Sequence, residues 1–584
     1  MKQSADLKRL LASIDHKSYP AYKDVRGAYD FNTYILFIDH VQGDPFASPS
    51  KVSVQIRHTK AGFPAELFDT PWKKTALEDY LLRCFSREIG RLSFKAKGSG
   101  KSGLIATSRP GQEVLSRTAC EIGKNEITAR FEVGFPAFGR TINSGELIRI
   151  FFDFLPGCVE SVFFYRRQNT AEIKKRITLA DDQQFIRNEL KRLDLVSFVA
   201  DGSILPRETG VSDRPMKGSV AFHSPDSLRI TLNLPGHGPI SGMAIRRGIT
   251  LIVGGGYHGK STLLKALESG VYNHIPGDGR EYVITDETAV KLRAEDGRSI
   301  NHVDISLFIR DLPNKKDTTC FSTADASGST SQAAAVIESI EAGTRAFLID
   351  EDTSATNFML RDDLMQRIVS RDKEPITPFI ERARDLYEQA GISTVLVAGS
   401  SGAYFFIADT IIQMDAYRPF DITEMVKNAC EQEVSKPAIQ APGFKLPTAG
   451  RKLAAGGTGR AGGAMALNFG DSRAEAGRNS DRNTRIKVRV HDKHSFQVAK
   501  EPVDLRFVEQ LADSEQTAAL AQMVRYCLEK GLLERCTVQE TVATLLKAYE
   551  TGGLSVFSDA SYAAMGLAMP RVQEIYACLN RFRG

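Results

Sequence analysis

Residues 254–261 have the types and spacing of a phosphate-binding loop. Gly254 is followed after four residues by Gly259, Lys260 and Ser261, which satisfies the pattern GxxxxGK[ST]. Glycines let backbone N–H groups approach phosphate oxygens, a lysine neutralises the β and γ oxygens, and a serine hydroxyl can ligate Mg²⁺. The pattern predicts that a nucleoside triphosphate is bound by Gly254, Gly255, Gly256, Tyr257, His258, Gly259, Lys260, Ser261 and Thr262.

A phosphate-binding loop works only between a buried strand and a helix, and the flanking sequence predicts both. The apolar run Ile249 to Val253 enters the loop, and Thr262 to Leu267 leaves it as a helix that ends near Gly270. A second glycine-rich stretch, residues 98–103, lacks a preceding apolar strand and has Lys95 where the first glycine should stand. We interpret that stretch as an ordinary loop.

Three consecutive acids, Asp350, Glu351 and Asp352, follow the apolar run 346–349. Like charges at the end of a buried strand cost free energy, so their presence favours a function. In a nucleotide-binding sheet, an aspartate at the end of a second strand lies beside the phosphates and holds Mg²⁺ through water. We therefore predict Asp350 as the metal residue and Glu351 as the base that polarises the attacking water. Asp352 either tightens the turn by bonding the Thr353 or Ser354 backbone or touches a metal-bound water.

The composition indicates a soluble globular chain of about two to four domains, since 584 residues are too many for one core. Eight scattered cysteines, without C-x-x-C pairs, predict a reducing compartment, the cytoplasm or alternatively an organellar matrix. The start carries acids and no apolar core, so neither a secretory signal nor a typical transit peptide is expected. The stretch 393–414 is broken by Asp409 and predicts a strand, turn, helix and second strand, not a membrane span.

Periodicity and composition divide the chain into four predicted parts: an α+β N-terminal domain (1–218), a mostly parallel α/β nucleotide-binding domain (219–435), a flexible Gly/Arg-rich linker (436–484) and a small, mainly helical C-terminal domain (485–584). In the first part, strands are predicted at 34–38, 52–56, 148–152 and 162–165, and helices at 74–88 and 182–193. In the last part, helices are predicted at 504–511, 515–530, 538–549 and 570–582.

The text DEDTSAT (350–356) resembles the DEPTSAL text that joins the Walker B strand to the D-loop in ATP-binding cassette (ABC) ATPases. Upstream, SGSTSQ (327–332) stands where that class carries its LSGGQ signature. The chain resembles soluble, stand-alone "ABC-class ATPases" in the following segments: 40–50, 110–117, 254–264, 326–334, 348–362 and 374–379.

The resemblance implies an ABC-type P-loop core with ATP and Mg²⁺, no membrane spans, and, in some relatives, RNA association. It also implies a homodimer in which Ser327 and Gly328 of the signature helix press on the γ-phosphate held by the opposite subunit. From the residues alone, Ser329 and Gln332 also fit a capping box, which would make the segment only a well-capped helix.

Several positions depart from the family pattern. Asp352 replaces the proline that is usual in transporter ATPases, and Asn357 replaces the D-loop aspartate. The strand 394–398 leads to Gly399, Ser400 and Ser401 where transporters have a switch histidine. His258 is a possible γ-phosphate sensor, although a structural role is the simpler interpretation. No convincing Q-loop glutamine occurs between residues 300 and 313.

Basic residues concentrate near the end of the chain. Residues 450–500 hold eleven Lys or Arg and four Asp or Glu, a local charge of +7 against −2 for the rest. Arg485, Lys487 and Arg489 alternate with apolar residues, which predicts three cations on one face of a strand that, with Arg451, Lys452, Arg460, Arg473, Arg478 and Arg482, could follow a phosphate backbone. A solvated edge strand beside a plain linker is the alternative.

Three functions remain open from the sequence. The first is a dimerising ABC-class ATPase that acts on RNA or DNA. The second is a scaffold in which ATP closes a dimer and turnover is slow, as the missing switch histidine and Q-loop would suggest. The third, an energising subunit of a membrane transporter, fits least, because the large extra domains and the basic linker have no obvious place there.

Overall fold

The computed structural model describes residues 1–210, 212–361, 374–399, 401–432, 441–448, 450–453, 486–558 and 560–583. Its centre is a six-stranded sheet, whose strands we number β1–β6 in chain order. They are Ile249–Val253 (β1), Val290–Leu292 (β2), Ala346–Asp350 (β3), Ser393–Val397 (β4), Thr410–Asp415 (β5) and Arg418–Asp421 (β6). The spatial order is β2-β3-β4-β1-β5-β6, with only β6 antiparallel to its neighbour.

Both faces of the central sheet are covered, as a parallel sheet requires. In β3, Phe347 and Ile349 belong to a core that includes the helix Gly328–Glu341, which we call α2. Ala346 and Leu348 point to the other core, with leucines of the helix Lys260–Ser269, called α1. Alternate side chains of β3 therefore pack against helices on opposite faces of the sheet. The predicted P-loop α/β core is confirmed.

The other helices of this region are Thr356–Met359, Phe379–Ala390 and Thr423–Gln432, with short 3-10 turns at Glu351–Thr353 and Gly402–Phe406. The stretch 393–414 thus forms strand, short helix and strand, as the sequence indicates. No helix in the described ranges is long and apolar enough to cross a membrane.

The N-terminal part forms a seven-stranded sheet from Lys2–Gln3, Gly27–Asp30, Ile35–His40, Ser50–Arg57, Ile105–Ala106, Cys120–Ile122 and Glu126–Val133. Its helices are Ser4–Ser13, His58–Ala61, Pro71–Leu92, Ser144–Ile148, Leu155–Phe163 and Thr170–Arg192. The predicted strands at 148–152 and 162–165 are wrong, because both segments are helical. Leu155, Val159 and Val162 are buried at helical spacing, which short apolar windows did not reveal.

An antiparallel sheet lies between the N-terminal part and the central sheet. Its order is Arg229–Leu234, Gly238–Arg246, Leu195–Ala200 and Val283–Thr285. Two-stranded pairs join Glu113–Val114 to Asn273–His274, Ala137–Phe138 to Thr141–Ile142, and Arg298–Val303 to Phe321–Ala326. The domain limits at 218, 435 and 484 stay predictions, and the antiparallel sheet spans the first of them.

The C-terminal part has the helices Ser514–Glu529, Leu532–Arg535, Val538–Gly552 and Val572–Arg581 beside a three-stranded sheet of Val488–Val490, Ser495–Val498 and Glu501–Asp504. The helix predicted at 504–511 is wrong, since residues 501–504 form a strand and 505–511 are irregular. That irregular backbone is held against β2 by Gln510, whose side chain bonds the backbone there. Tertiary contact thus replaces the local helical preference.

Candidate functional site

The loop Gly254 to Gly259 joins β1 to α1, as the sequence predicts. Gly254 has φ +137°, and a Cβ there would lie 2.3 Å from the carbonyl oxygen of Met414. Gly259 has φ +99° immediately before the helix. Only glycine accepts both the backbone angles and the close approach, so these two residues fix the loop's path.

Lys260 turns back over this loop. Its Nζ donates to the carbonyl oxygens of Gly254 at 2.6 Å and Gly255 at 2.8 Å. The ammonium therefore lies at the mouth of the loop, held by two neutral acceptors that phosphate oxygens can replace. Ser261 is exposed in the first turn of α1, and its hydroxyl makes no hydrogen bond to any described residue. The free N–H groups and positive dipole end of α1 favour an anion here.

Asp350 lies at the same edge of the sheet as the loop. In the sheet register, Ile252 of β1 and Asp350 of β3 are both paired with Val397 of β4. Neighbouring strands are about 4.8 Å apart, so two strand spacings put the Cα atoms of Ile252 and Asp350 roughly 10 Å apart. The structure thus brings the lysine loop and the first acid to one carboxyl edge, where α/β sheets bind ligands.

Asp350 also builds the turn that follows it. Its Oδ1 accepts from the Asp352 amide at 3.2 Å, and its carbonyl accepts from the hydroxyls of Thr353 at 3.2 Å and Ser354 at 2.9 Å. The Ser354 amide donates to the Glu351 carbonyl. The turn role predicted for the Asp352 side chain is therefore wrong, because Asp350, Thr353 and Ser354 supply the bonds.

Glu351 points toward the carboxyl end of β4, the strand that lies between β1 and β3. Its Oε2 accepts from the amide of Gly399, just beyond β4, at 2.6 Å. This bond fixes the carboxylate over the middle of the ligand edge, between the loop and Asp350. An ionised carboxylate has two acceptor oxygens and no donor, so the Glu351 side chain has the chemistry to take up a proton.

The oxygen donors at this edge fit Mg²⁺, a hard cation that prefers carboxylate, hydroxyl and phosphate oxygens. Asp350 uses one carboxylate oxygen for the Asp352 amide, and the other bonds no described residue. Together with the Ser261 hydroxyl it offers two ligands. Within the described ranges no group of three or more His, Cys, Asp or Glu side chains could hold a metal by itself. Mg²⁺ usually takes one or two protein ligands together with substrate phosphates.

Ser327 and Gly328 begin α2, where the signature was predicted, and Ser327 is exposed. The alternative capping box is wrong, because the Gln332 side chain turns away from the start of its helix. Its Nε2 donates to the Ser354 hydroxyl at 3.0 Å, and its Oε1 accepts from the Ala355 amide at 2.9 Å. Gln332 is fully buried and joins the signature helix to the turn after Asp350.

An open cleft of about 490 Å³ lies between the signature and this turn. It is lined by Arg293, Ala294, Asp296, Ser327, Gly328, Ser329, Asp352, Thr353, Ser354, Ala355 and Asn357. Sequence reasoning missed residues 293–296, because no motif marks them.

Family models cover most of the chain. Residues 4–166 match the description "ATPase of the ABC class N-terminal", and residues 169–445 match "ABC_ATPase: P-loop domain". Residues 487–584 match the "MRB1590 C-terminal domain". The first two matches are separated by two residues, and together they enclose every nucleotide-binding motif described above. The chain is an ABC-class ATPase. The resemblance noted from its sequence motifs is therefore confirmed.

One similar curated protein is the uncharacterized protein MJ1628 of Methanocaldococcus jannaschii, 31% identical over 229 residues. The match covers 38% of the ABC-class ATPase and 50% of MJ1628, so the chain spans about half the length of this relative.

The solved structures that match this chain include two from ABC transporters. One is cbiO1 from Clostridium perfringens, part of the ABC transporter complex cbiONQ, with 13% identity and a TM-score of 0.26. The other is the ADP conformation of MJ1267, an ATP-binding cassette of an ABC transporter, with 11% identity and a TM-score of 0.25. Each match covers 41% of this ATPase and 92% or 95% of the solved chain.

Two side chains of the phosphate loop differ in their surroundings. His258 Nδ1 lies 2.9 Å from both the Asp415 carboxylate and the Ala416 amide nitrogen, and the Tyr417 amide donates to the His258 carbonyl. These contacts tie the loop to the hairpin between β5 and β6, which supports the structural interpretation of His258. Tyr257 is 99% exposed.

The predicted nucleic-acid residues lie in the C-terminal part. Lys487 and Arg489 are exposed at the edge strand Val488–Val490, whose only described partner strand is Ser495–Val498. Arg485 lies outside the described residues, as do Arg460, Arg473, Arg478 and Arg482. The prediction that Arg451 follows a phosphate backbone is wrong, because its side chain is nearly buried and forms an ion pair with Glu341 at 2.7 Å. It is therefore not available to a phosphate backbone.

Proposed function

We propose that the ABC-class ATPase binds Mg-ATP with residues 254–262 and cleaves it with Glu351 as general base. The observation that carries this proposal is the Glu351 to Gly399 hydrogen bond, which holds the base between the lysine loop and Asp350. A nucleotide with its β- and γ-phosphates at Lys260 would present its γ-phosphorus toward that carboxylate.

Each group has a defined task in this proposal. On binding, Lys260 exchanges two backbone carbonyls for phosphate oxygens, so its charge is neutralised by the substrate. Ser261 and Asp350 would hold Mg²⁺, and the ion would supply positive charge to neutralise the β- and γ-phosphates. Glu351 takes a proton from the attacking water as the bond from the γ-phosphorus to the bridging oxygen breaks, and ADP leaves with the electron pair.

A second copy of the chain is the proposed partner in this reaction. Ser327 and Gly328 stand at the rim of the open cleft and do not face the phosphate loop of their own chain through any described contact. In a homodimer, the signature of one copy would close over the nucleotide of the other. Sedimentation of the Glu351→Gln variant with Mg-ATP should give a dimer, and with ADP a monomer. A monomer with both nucleotides would contradict this step.

Nucleic acid is the proposed effector. Lys487 and Arg489 expose two cations on an edge strand, and Lys493 and Lys500 add charge nearby. Turnover of ATP should rise when RNA or DNA is added and should not respond to liposomes. Stimulation by liposomes alone would favour a transporter subunit instead.

A slow nucleotide-dependent scaffold is the second candidate, and one observation favours it. Gly399 occupies the place of the switch histidine and contacts the base directly, so it brings no side chain to sense the γ-phosphate. If neither RNA, DNA nor liposomes change a slow turnover while ATP still dimerises the chain, the scaffold is the better account.

The compartment is proposed to be the cytoplasm or an organellar matrix. All eight cysteines are free, and five of them are buried. Unpaired thiols at this number fit a reducing environment.

A further inference from the structure

The loop of residues 293–296 follows β2 and lies beside the metal acid. Leu292 of β2 pairs with Ile349 of β3, so Arg293 follows β2 at the level where Asp350 ends β3. We call Arg293, Ala294, Glu295 and Asp296 the 293–296 loop. No convincing Q-loop glutamine occurs between residues 300 and 313, and the 293–296 loop stands earlier in the chain.

Backbone contacts tie the 293–296 loop to the reaction site. The Ala294 amide donates to the carbonyl of Thr353 at 3.0 Å, within the turn that Asp350 builds. The Glu295 amide donates to the Ser331 hydroxyl of α2 at 2.9 Å. A Cβ on Gly328 would lie 3.2 Å from Asp296 Oδ1, so the loop also touches the signature glycine.

Side chains tie the same loop to the C-terminal part. Arg293 donates to Glu509 at 2.7 Å, and its guanidinium lies 4.4 Å from the centre of the Phe507 ring. Glu295 forms an ion pair with Arg581 of the last helix. One short loop therefore contacts the turn after Asp350, the signature helix and the C-terminal part.

The C-terminal part is also attached firmly to β2, because the Gln510 side chain forms hydrogen bonds with backbone groups in and beside that strand. Gln510 accepts from the Lys291 amide at 2.9 Å and donates to the carbonyls of Glu268 at 3.1 Å and Ala289 at 3.2 Å. A movement of the segment 507–510 would be transmitted to β2, since the Gln510 side chain is hydrogen-bonded directly to the backbone of Lys291 and Ala289.

The two ion pairs of the loop differ in burial. The Glu295–Arg581 pair is almost completely buried, whereas Arg293 and Glu509 keep about a quarter of their side-chain surface exposed. The buried pair anchors the loop to the last helix, because separating Glu295 from Arg581 would leave two desolvated charges without partners. The partly exposed pair of Arg293 with Glu509 can break and re-form at low cost, because water can solvate both partners.

We propose that Arg293 is a positioning residue through which the C-terminal part sets the geometry of the turn after Asp350. With Glu509 engaged, the Ala294–Thr353 bond holds Asp350 and Glu351 in their working places. A ligand on the C-terminal part that draws Glu509 away would slow hydrolysis without touching the nucleotide. This inference rests on the proposed function, whose metal acid and base it regulates.

The test compares Arg293→Ala, Glu509→Gln and the charge exchange Arg293→Glu with Glu509→Arg. Arg384→Ala is the matched control, since Arg384 forms a 2.9 Å, part-exposed pair with Asp409 at the opposite end of the sheet. We expect each single variant to lower kcat about tenfold and to leave KM for ATP within about twofold. The double variant with exchanged charges should recover most of the wild-type kcat, and Arg384→Ala should have the wild-type kcat.

The inference is overturned if kcat in Arg293→Ala equals wild type or falls no more than in the control. It is also overturned if kcat falls only together with the melting temperature and the exchanged pair restores neither. Lys260→Ala in the same assay separates this failure from failure of the proposed function. If Lys260→Ala is inactive while Arg293→Ala is normal, only the inference fails; if Lys260→Ala is active, the site assignment itself fails.

Discussion

The Gly399 amide donates to the Glu351 carboxylate at 2.6 Å, across the strand that separates the lysine loop from Asp350. This bond orients the proposed base from the end of a neighbouring strand. Replacing Glu351 by Gln keeps an acceptor for the amide but removes the proton acceptor.

Glu351→Gln should therefore lower ATP turnover by roughly 10²-fold or more, the scale of losing a general base, and leave ATP affinity intact. Turnover and equilibrium binding are measured side by side. Glu388→Gln, an exposed acid on the helix Phe379–Ala390, is the control and should behave as wild type. Full activity in Glu351→Gln would remove Glu351 from the role of base.

Asp350→Asn should weaken Mg²⁺ dependence specifically. The amide oxygen can still accept from the Asp352 amide, so the turn survives while the metal loses an anionic ligand. A Mg²⁺ titration of turnover should shift to roughly ten- to hundredfold higher concentration, the scale seen when a metal site loses a supporting group. A titration that matches the wild-type curve would exclude Asp350 from the metal site.

Gln332→Ala should loosen the turn after Asp350. The buried side chain makes one bond to Ser354 and one to Ala355, and its loss leaves the Ala355 amide without that acceptor. Unfolding free energy should fall by about 1–3 kcal/mol, and turnover should fall as well. Urea unfolding of Gln389→Ala, whose side chain bonds Asp385 at the surface, supplies the control. Equal stability of both variants would show that the Gln332 bonds do not matter.

Neutralising Lys487 and Arg489 together should make nucleic-acid binding less sensitive to salt. Each phosphate contact contributes about 0.7 to 0.9 to the slope of log affinity against log salt, so two lost contacts reduce that slope by roughly 1.4 to 1.8. Lys191 and Arg192, exposed on the helix Thr170–Arg192, are the control pair. An unchanged slope would place the contact surface elsewhere.

His274 should make stability depend on pH. Burial opposes its charge, but the hydrogen bond and charge of Asp278 at 2.8 Å outweigh burial and raise the pKa of His274 above its ordinary value. Because the pKa of His274 is higher in the folded protein than in the unfolded chain, protonated His274 stabilises the folded protein at pH values below the unfolded pKa, near 6.5. This stabilisation is lost as the pH rises through the pKa of the folded protein.

The melting temperature should therefore fall from about pH 6 upward more steeply in wild type than in His274→Gln, which cannot titrate there. Asp278 stays ionised throughout that range, because His274 and Arg207 outweigh its burial and lower its pKa. Parallel pH curves for the two proteins would contradict this prediction.

The sequence predicts the parts of the site that depend on local patterns. The strand before Gly254, the helix after Lys260 and the strand that ends at Asp350 all form as expected, because period and flanking glycines fix them. The positions of Lys260 and Asp350 at one edge also follow, since parallel strands end on the same side.

What the sequence does not predict depends on contacts between distant segments. Gln332 fits a capping pattern, yet its true partners, Ser354 and Ala355, are more than twenty residues away. Arg293 belongs to no motif and gains its place from the register of β2 with β3 and from Glu509. Local propensity carries no information about such pairs.

The most direct test of the account is the affinity of Lys260→Ala for Mg-ATP, measured by equilibrium binding against wild type and Glu351→Gln. Lys260→Ala should lose tight binding while Glu351→Gln keeps it, because Lys260, unlike Glu351, is proposed to bind the phosphates in the ground state. Wild-type affinity in Lys260→Ala would contradict the claim that this lysine and the acids at 350 and 351 share one triphosphate.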